Sequence, residues 1–546
     1  MKKKYIIAGL VLSIAMLIAS CVKDLNVNPK DPTKIMSGNL GDNPEYYAEV
    51  LGKIYASFII SGQRPDWSQS DISASDADFF TTTRALWNLQ EITTDEAICA
   101  WGDVGISDLN TQTWSTSNPF LTALYQRLSL SITYANDFIG KTNGNSNATI
   151  QKYNAEARFL RALAYYYHMD LFGNPPFTTE ADGVGKFYPK QLDPTPAVGR
   201  QMLFNYIVKE LHDIETKLGD PGSSYPEADK GACWMLLARV YLNAKVYTGT
   251  AKWDSCKLYC DKVINSGVYS LNPDYRHNFT ADNDFNHNSE MIFAWSQDGI
   301  HTQGYVGSTF IIESCSDATY IRAEDFHGLT SNTNWNGNRA RAQFMNILVD
   351  TISTYGNNPI PGGDPTFSLC PDKRVFLKMK KLMNIPSPTS NGDYGIGVYK
   401  FTAKNADGSL PLDFNAAFAC TDFPIFRLAD AYLMRAEALF NMSDAANAVL
   451  DVNLIRERAY GDNSGDITSG QLTSQFLLDE RCREFYYEAQ RRTDLIRFGK
   501  FTDGNYNWQW KGNTYAGINT PNHLNLFPIP GDEVSANPNI KQNPGY

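Results

Sequence analysis

Ala155-Glu-Ala-Arg-Phe159-Leu160-Arg-Ala162-Leu163-Ala-Tyr165-Tyr-Tyr167 sets apolar residues at 155, 159, 163 and 167, the spacing of one face of an α-helix. Its core, Leu160-Arg-Ala162-Leu-Ala-Tyr165, places a small Ala three residues before a Tyr. The same Ala-x-x-Tyr step follows a Leu in Leu237-Ala238-Arg-Val-Tyr241 and in Leu428-Ala429-Asp-Ala-Tyr432. A small side chain lets a neighbouring helix approach closely, while the ring fills the groove beside it. Residues 253–264 form another amphipathic run behind the second copy, closed by Ser266-Gly267 as a helix stop.

Helical pairs built this way resemble tetratricopeptide repeats, here irregularly spaced. The expected fold is mostly α: tetratricopeptide-like helical pairs forming a curved scaffold. Residues 470–500 predict one more helix, through Leu477, Arg481, Glu484, Phe485, Glu488 and Arg492. On it, Glu488 would meet Arg491 and Arg492 at i+3 and i+4. Between residues 267 and 425 the composition turns to Asn, Asp, Gly, Ser and Pro with isolated aromatics. That stretch predicts long loop-rich insertions and short strands, where binding residues concentrate.

The 546 residues are 43% hydrophobic and 20% charged, with 48 basic against 59 acidic side chains. Such a chain has ample core, and wholesale disorder is excluded. A net charge of −11 without any Lys/Arg-rich run argues against nucleic acid as the partner. Aromatic content is high, at 30 Tyr, 29 Phe and 10 Trp, and composition alone does not divide those rings between core and binding surface.

Lys2, Lys3 and Lys4 precede an apolar run at 5–19 and then Ser20-Cys21. A charged segment followed by a short apolar one is a secretory signal, and Ile18-Ala19-Ser20-Cys21 looks like a lipobox with Cys21 as the lipidated residue. Residues 1–20 are then a lipoprotein signal peptide and 21–45 a polar tether, ahead of an N-terminal helical region at 46–266. The region 267–546 completes one compact body with it. The other eight cysteines suggest buried thiols rather than a disulfide framework. Cys256 and Cys260 share a helix face, but no second pair or clustered His accompanies them to make a zinc site.

The C-terminal half carries Phe426-Arg-Leu-Ala-Asp-Ala-Tyr-Leu-Met-Arg-Ala-Glu437, Val452-Asn-Leu-Ile-Arg-Glu-Arg-Ala459, Asp479-Glu-Arg-Cys-Arg-Glu-Phe485 and Arg491-Arg-Thr-Asp-Leu-Ile-Arg-Phe498. It ends on Phe527-Pro-Ile-Pro530, Asn537-Pro-Asn and Gln542-Asn-Pro-Gly-Tyr546. In this order, with Glu91-Ile-Thr-Thr-Asp-Glu96 and Phe172-Gly-Asn-Pro-Pro176 upstream, these motifs resemble the SusD/RagB family of Bacteroidota outer-membrane lipoproteins. The resemblance implies a surface-exposed, lipid-anchored glycan-binding protein that uses no cofactor and caps a SusC-type TonB-dependent transporter. Most of these motifs are scaffold.

Sugar rings have apolar C–H faces that flat aromatics bury while polar neighbours take the hydroxyls. Trp101, Tyr305 and Trp335 stand in polar, Gly- and Asn-flanked loops. Around Gln297-Asp-Gly299, Tyr305-Val-Gly-Ser-Thr309 and Trp508-Gln-Trp-Lys-Gly512 the chain is particularly similar to the family's starch-binding founding member. That resemblance places an aromatic arc on Trp101, Trp335 and Tyr305, and hydroxyl-binding groups on Asp76 and Arg84. Two neighbours depart, with Cys99 and Val104 where an aromatic and an Asn are expected. The implied ligand is starch or malto-oligosaccharide, with another α-glucan or a fructan as the alternative.

A surface glycoside hydrolase is the rival class; it would need two carboxylates facing each other across the bond. Asp95-Glu96 and Asp479-Glu480 offer acids, the latter among arginines that suggest structural pairing. Asp282-Asn-Asp284-Phe-Asn286-His-Asn288-Ser-Glu290 alternates oxygen ligands, so Asp282 and Asp284 are candidates for a structural calcium, though the glycine of an EF-hand loop is missing.

Overall fold

The computed structural model describes residues 43–62, 70–72, 81–183, 185, 187–348, 370–389 and 392–546. Its longer helices are α1 (Pro44–Ile59), α2 (Pro119–Thr142), α3 (Ala148–Phe172), α4 (Pro196–Ile214), α5 (Lys230–Leu242) and α6 (Trp253–Asn265). After the insertion come α7 (Gly307–Cys315), α8 (Leu428–Asn441), α9 (Ala445–Tyr460), α10 (Ser474–Phe485) and α11 (Arg491–Arg497). Caps set several starts. Asn118 and Asn147 accept from the first-turn amides of α2 and α3, and Asp229 accepts from Ala232 N at 3.0 Å to start α5.

The Ala-x-x-Tyr segments all lie in helices, and their alanines Ala162, Ala238 and Ala429 are fully buried. Tyr165 seals its helix to the following segment, its hydroxyl donating to Thr178 O at 2.7 Å. Tyr241 stacks on Tyr259 of α6, centroids 5.9 Å apart. In space α2 packs on α3 and α3 on α4, while α5, α6, α8 and α9 form a continuous row. The insertion at 266–427 therefore interrupts the repeat in sequence but not in packing. Arg435 of α8 reaches Asp261 of α6 at 2.8 Å across that join.

Among the described residues, eight short strands stand on the scaffold. β1 (Ala97–Cys99), β5 (Asn338–Ala340), β7 (Ile396–Val398) and β6 (Leu377–Met379) make one antiparallel sheet in that order. β4 (Met291–Trp295) pairs with β8 (Phe423–Arg427), and β2 (Pro176–Phe177) with β3 (Lys190–Gln191).

The helix expected over 470–500 is two helices. The chain turns between α10 and α11 through left-handed Tyr487 and Ala489, at φ 65° and 58°. Long-range bonds hold that turn: Glu96 accepts from Tyr487 N at 3.2 Å and Glu91 from Gln490 N at 3.3 Å. The local pairing expected for Glu488 is lost with the helix. Glu488 instead accepts two bonds from Arg427, both at 2.8 Å, and one from Lys400 at 2.7 Å. Arg491 grips Asp95 with both arms, at 2.8 and 2.7 Å, and Arg492 donates to the carbonyls of Leu524 and Asn525.

These pairs belong to a buried ionic layer. Arg427 also meets Glu290 at 2.6 Å and Glu484 at 2.9 Å, and Arg458 reaches the same two acids. Arg374 joins Asp372, Glu480 and Glu484. Burial alone would raise the Glu480 carboxyl, but Arg374, Arg483 and Arg456 outweigh it and hold it down at about 2. The Asp479-Glu480 and Asp95-Glu96 pairs offered to a hydrolase are thus walled in: Glu480, Asp95 and Glu96 are buried, and Glu480 and Asp95 are gripped by arginines.

The eight cysteines at 99–482 are free thiols, seven buried and Cys370 half-buried. Cys256 lies 3.9 Å from Met434 O, between α6 and α8.

Candidate functional site

β1 and β5 decide where two of the three loop aromatics stand. Their register sets Cys99 opposite Asn338, and Ala100 N extends the ladder to Gly337 O at 2.8 Å. Both chains leave the same end of the pair, so Trp101 and Trp335 emerge side by side although 234 residues separate them. The Trp101 Nε1–H donates to Trp335 O at 3.0 Å, and the ring centroids are 6.2 Å apart with planes at 50°.

Three left-handed asparagines shape the Trp335 loop: Asn332, Asn334 and Asn336, at φ 55°, 66° and 51°. Asn tolerates this region better than other non-glycine residues. Left-handed steps on either side of Trp335 lay the loop along the end of α7. There Glu313 O accepts from Trp335 N at 3.1 Å, Ser316 O from Asn336 N and Ser314 O from Gly337 N, both at 2.8 Å. The Trp335 Nε1–H donates back to Asn332 O at 2.6 Å.

Tyr305 stands at the other end of α7. β4 delivers Gln297, whose side-chain oxygen accepts from Ser308 N at 3.1 Å and caps the helix just past Tyr305. Gly307 is required beside it, since a Cβ there would lie 2.1 Å from the Gln297 amide. The Tyr305 ring meets Trp335 at 5.5 Å and 66°, and Phe418 at 5.3 Å and 47°. Trp101, Trp335, Tyr305 and Phe418 form a chain of half-buried rings, each turned against the last.

Arg84, on the short helix Thr82–Trp87, is only 5% exposed. It lies against the rings: Nη1 donates to Tyr305 O at 3.2 Å, and the guanidinium sits 4.5 Å from the Phe310 centroid and 5.8 Å from that of Trp101. Asp76 and Cys21 lie outside the described residues. Cys99 is fully buried in β1, and burial pushes its thiol up to about 12. Val104 is 82% exposed at the rim, three residues past Trp101. Phe418, Gln297 and Glu313 went unmarked as site residues in the sequence; Phe418 stands alone among alanines at 416–419, outside any periodic pattern.

Gly337 has a packing reason to be glycine: an added Cβ would lie 2.3 Å from Trp101 Cε2. Gly337→Ala is expected to displace the indole and cost about 1–3 kcal/mol, read as a lower melting midpoint with red-shifted tryptophan emission.

Asp282 and Asp284, the candidates for a structural calcium, are engaged within the fold. Asp282 Oδ1 accepts from Thr280 Oγ1 at 2.7 Å and Ala406 N at 2.9 Å. Asp284 accepts from Asn286 N at 2.9 Å and pairs with His287 at 2.7 Å. Among the described residues no group of three or more His, Cys, Asp or Glu side chains is arranged to hold a metal ion. Nor is any described helix long and apolar enough to cross a membrane.

The SusD family profile matches residues 330–546. Over its full length the chain is 33% identical to the starch-binding protein SusD of Bacteroides thetaiotaomicron, and the match covers all of both chains. Among solved structures, a SusD superfamily protein from Bacteroides thetaiotaomicron superposes with a TM-score of 0.68 at 19% identity, covering 92% of this chain and 100% of that one. Surface glycan-binding protein A from Bacteroides fluxus gives 0.66 at 20% identity over the same shares. This chain belongs to the SusD family, the non-catalytic glycan-binding proteins of the outer membrane.

Proposed function

We propose that this protein captures starch and malto-oligosaccharides at the cell surface on the rings of Trp101, Trp335 and Tyr305, and delivers them to a SusC-type TonB-dependent transporter. The observation that carries the ligand class is the turn between successive rings, 50° and then 66°, at centroid spacings of 6.2 and 5.5 Å. Rings arranged in this way suit a glucan that coils, whereas a straight β-linked chain is matched by coplanar platforms. Full-length identity to a starch-binding relative supports the same choice.

Each ring buries a sugar face, and Asp76 is assigned to accept from hydroxyls. Arg84 is assigned to donate to hydroxyls, and its Nη1 bond to the Tyr305 carbonyl fixes that ring's height. Val104 brings no polar group to the rim, so binding rests on the rings more than on hydroxyl contacts. Weak contacts then gain by repetition along a polymer. The lipid on Cys21 keeps the protein at the outer face.

Affinity electrophoresis in gels cast with amylopectin, pullulan, dextran or levan tests the ligand. Retardation in amylopectin, weaker retardation in pullulan and none in dextran or levan is the expected result. Free migration in amylopectin, or retardation confined to levan, overturns it. Incubation with maltoheptaose should give binding without shorter products.

A further inference from the structure

We infer that Glu313 is the positioning residue for Trp335, and that its ionisation state sets how firmly the indole is held for the ligand. This rests on the reading of Trp335 as a sugar contact, although the positioning itself is observable without sugar. Glu313 sits in the last turns of α7 and is fully buried. Its backbone oxygen accepts from Trp335 N at 3.1 Å. Its carboxylate Oε2 accepts from Asn334 N at 2.9 Å and from Ser316 Oγ at 3.1 Å. One acid therefore holds two consecutive amides of the loop that carries the indole.

The second oxygen, Oε1, is buried and has no hydrogen-bond partner among the described residues. Ionised, Glu313 leaves a charged oxygen without a donor. Protonated, it leaves an O–H without an acceptor and weakens as an acceptor toward Asn334. Neither state is fully satisfied, and such a group responds to small changes in conditions.

The cations of the neighbouring elements are engaged elsewhere. Lys380, just past β6, pairs with Asp317 at 2.8 Å and donates to Asn336 Oδ1. Arg339 of β5 donates to Gly337 O. Arg322, before the short helix Ala323–Phe326, pairs with Glu324 and Asp325. Among the described residues none makes an ion pair with Glu313. Burial therefore pushes its carboxyl up to about 7, with the Asn334 and Ser316 bonds pulling the other way.

The sign follows. Because the folded-state value is raised above the ordinary carboxylate range, the neutral form is the one the fold prefers, and stability falls as pH rises toward 7. The ionised form is the stronger acceptor, so the Trp335 loop tightens as the carboxyl ionises, around pH 7. Binding should strengthen as pH rises from 6 to 8 while global stability declines slightly.

The test is the emission of Trp335, taken as wild type minus Trp335→Phe, titrated from pH 5 to 9 without sugar and repeated on Glu313→Gln and Ser316→Ala. A midpoint near 7 is expected, absent in Glu313→Gln and moved up by roughly 0.5–1 unit in Ser316→Ala, which loses one donor to the ionised form. No midpoint in the wild type, or an unchanged one in both variants, overturns the inference. Should Glu313→Gln fail to fold, Ser316→Ala decides alone. Amylopectin retardation at pH 6 and 8 completes the test: a several-fold gain at pH 8 is expected, and equal retardation at both overturns the ligand half. An emission midpoint in a protein that amylopectin never retards would leave the positioning intact and sink the starch reading.

Discussion

Trp101→Ala combined with Trp335→Ala is expected to abolish retardation by amylopectin while the protein stays folded. Each indole is half-buried against the core and leaves part of its surface for a ligand. Covering ~60 Å² of apolar surface on each of two rings, at about 25 cal/mol per Å², contributes about 3 kcal/mol. At 1.4 kcal/mol per decade that is roughly 100-fold in affinity. Loss of the Trp101 Nε1 bond to Trp335 O adds disorder to the loop that remains. Isothermal titration with maltoheptaose, with a melting curve as control, gives the magnitude. Unchanged affinity in the double variant would falsify the assignment of the site.

The second large effect is on stability. Arg427→Met is expected to destabilise the protein by about 3–5 kcal/mol, the range for removing one partner of a buried ionic group, and to leave much of the product insoluble. Arg427 is wholly enclosed and joins Glu290, Glu484 and Glu488. Its removal leaves three buried carboxylates sharing Arg374, Arg458 and Lys400. Burial pushes the Arg427 guanidinium down, and the three acids more than reverse this and hold it well above the ordinary arginine range. Chemical denaturation at pH 7 measures the loss. A shift under 1 kcal/mol would show that the remaining cations compensate.

Helices and their pairing were legible because their signals are local. Ala162, Ala238 and Ala429 with their tyrosines report a packed helix face within four residues. The break at Tyr487–Gln490 was not legible, since Glu91 and Glu96 impose it from nearly 400 residues away. Ion pairs suffered similarly: i+3 and i+4 spacing offered Glu488 two neighbours, and the fold gave it Arg427 and Lys400. In the candidate site, Trp101, Tyr305 and Trp335 stand out in the sequence by their polar surroundings and by resemblance. Their contact could not be read, because the β1–β5 pairing and the two ends of α7 create it. Glu313 stood in Phe310-Ile-Ile-Glu313-Ser as an ordinary helix residue, and only the fold buries its second oxygen.

The ionic layer also orders events in time. Asp95 waits for Arg491, and the Glu91 and Glu96 carboxylates wait for the amides of Gln490 and Tyr487. Trp87 Nε1 likewise waits for Tyr487 O. Chains are made from the N-terminus at about 5–20 residues per second, so these acids spend roughly 20 s or more without their partners. These bonds of the N-terminal half cannot form before the last sixty residues arrive. The ionic layer is thus the part of the fold that closes last, when synthesis is nearly complete.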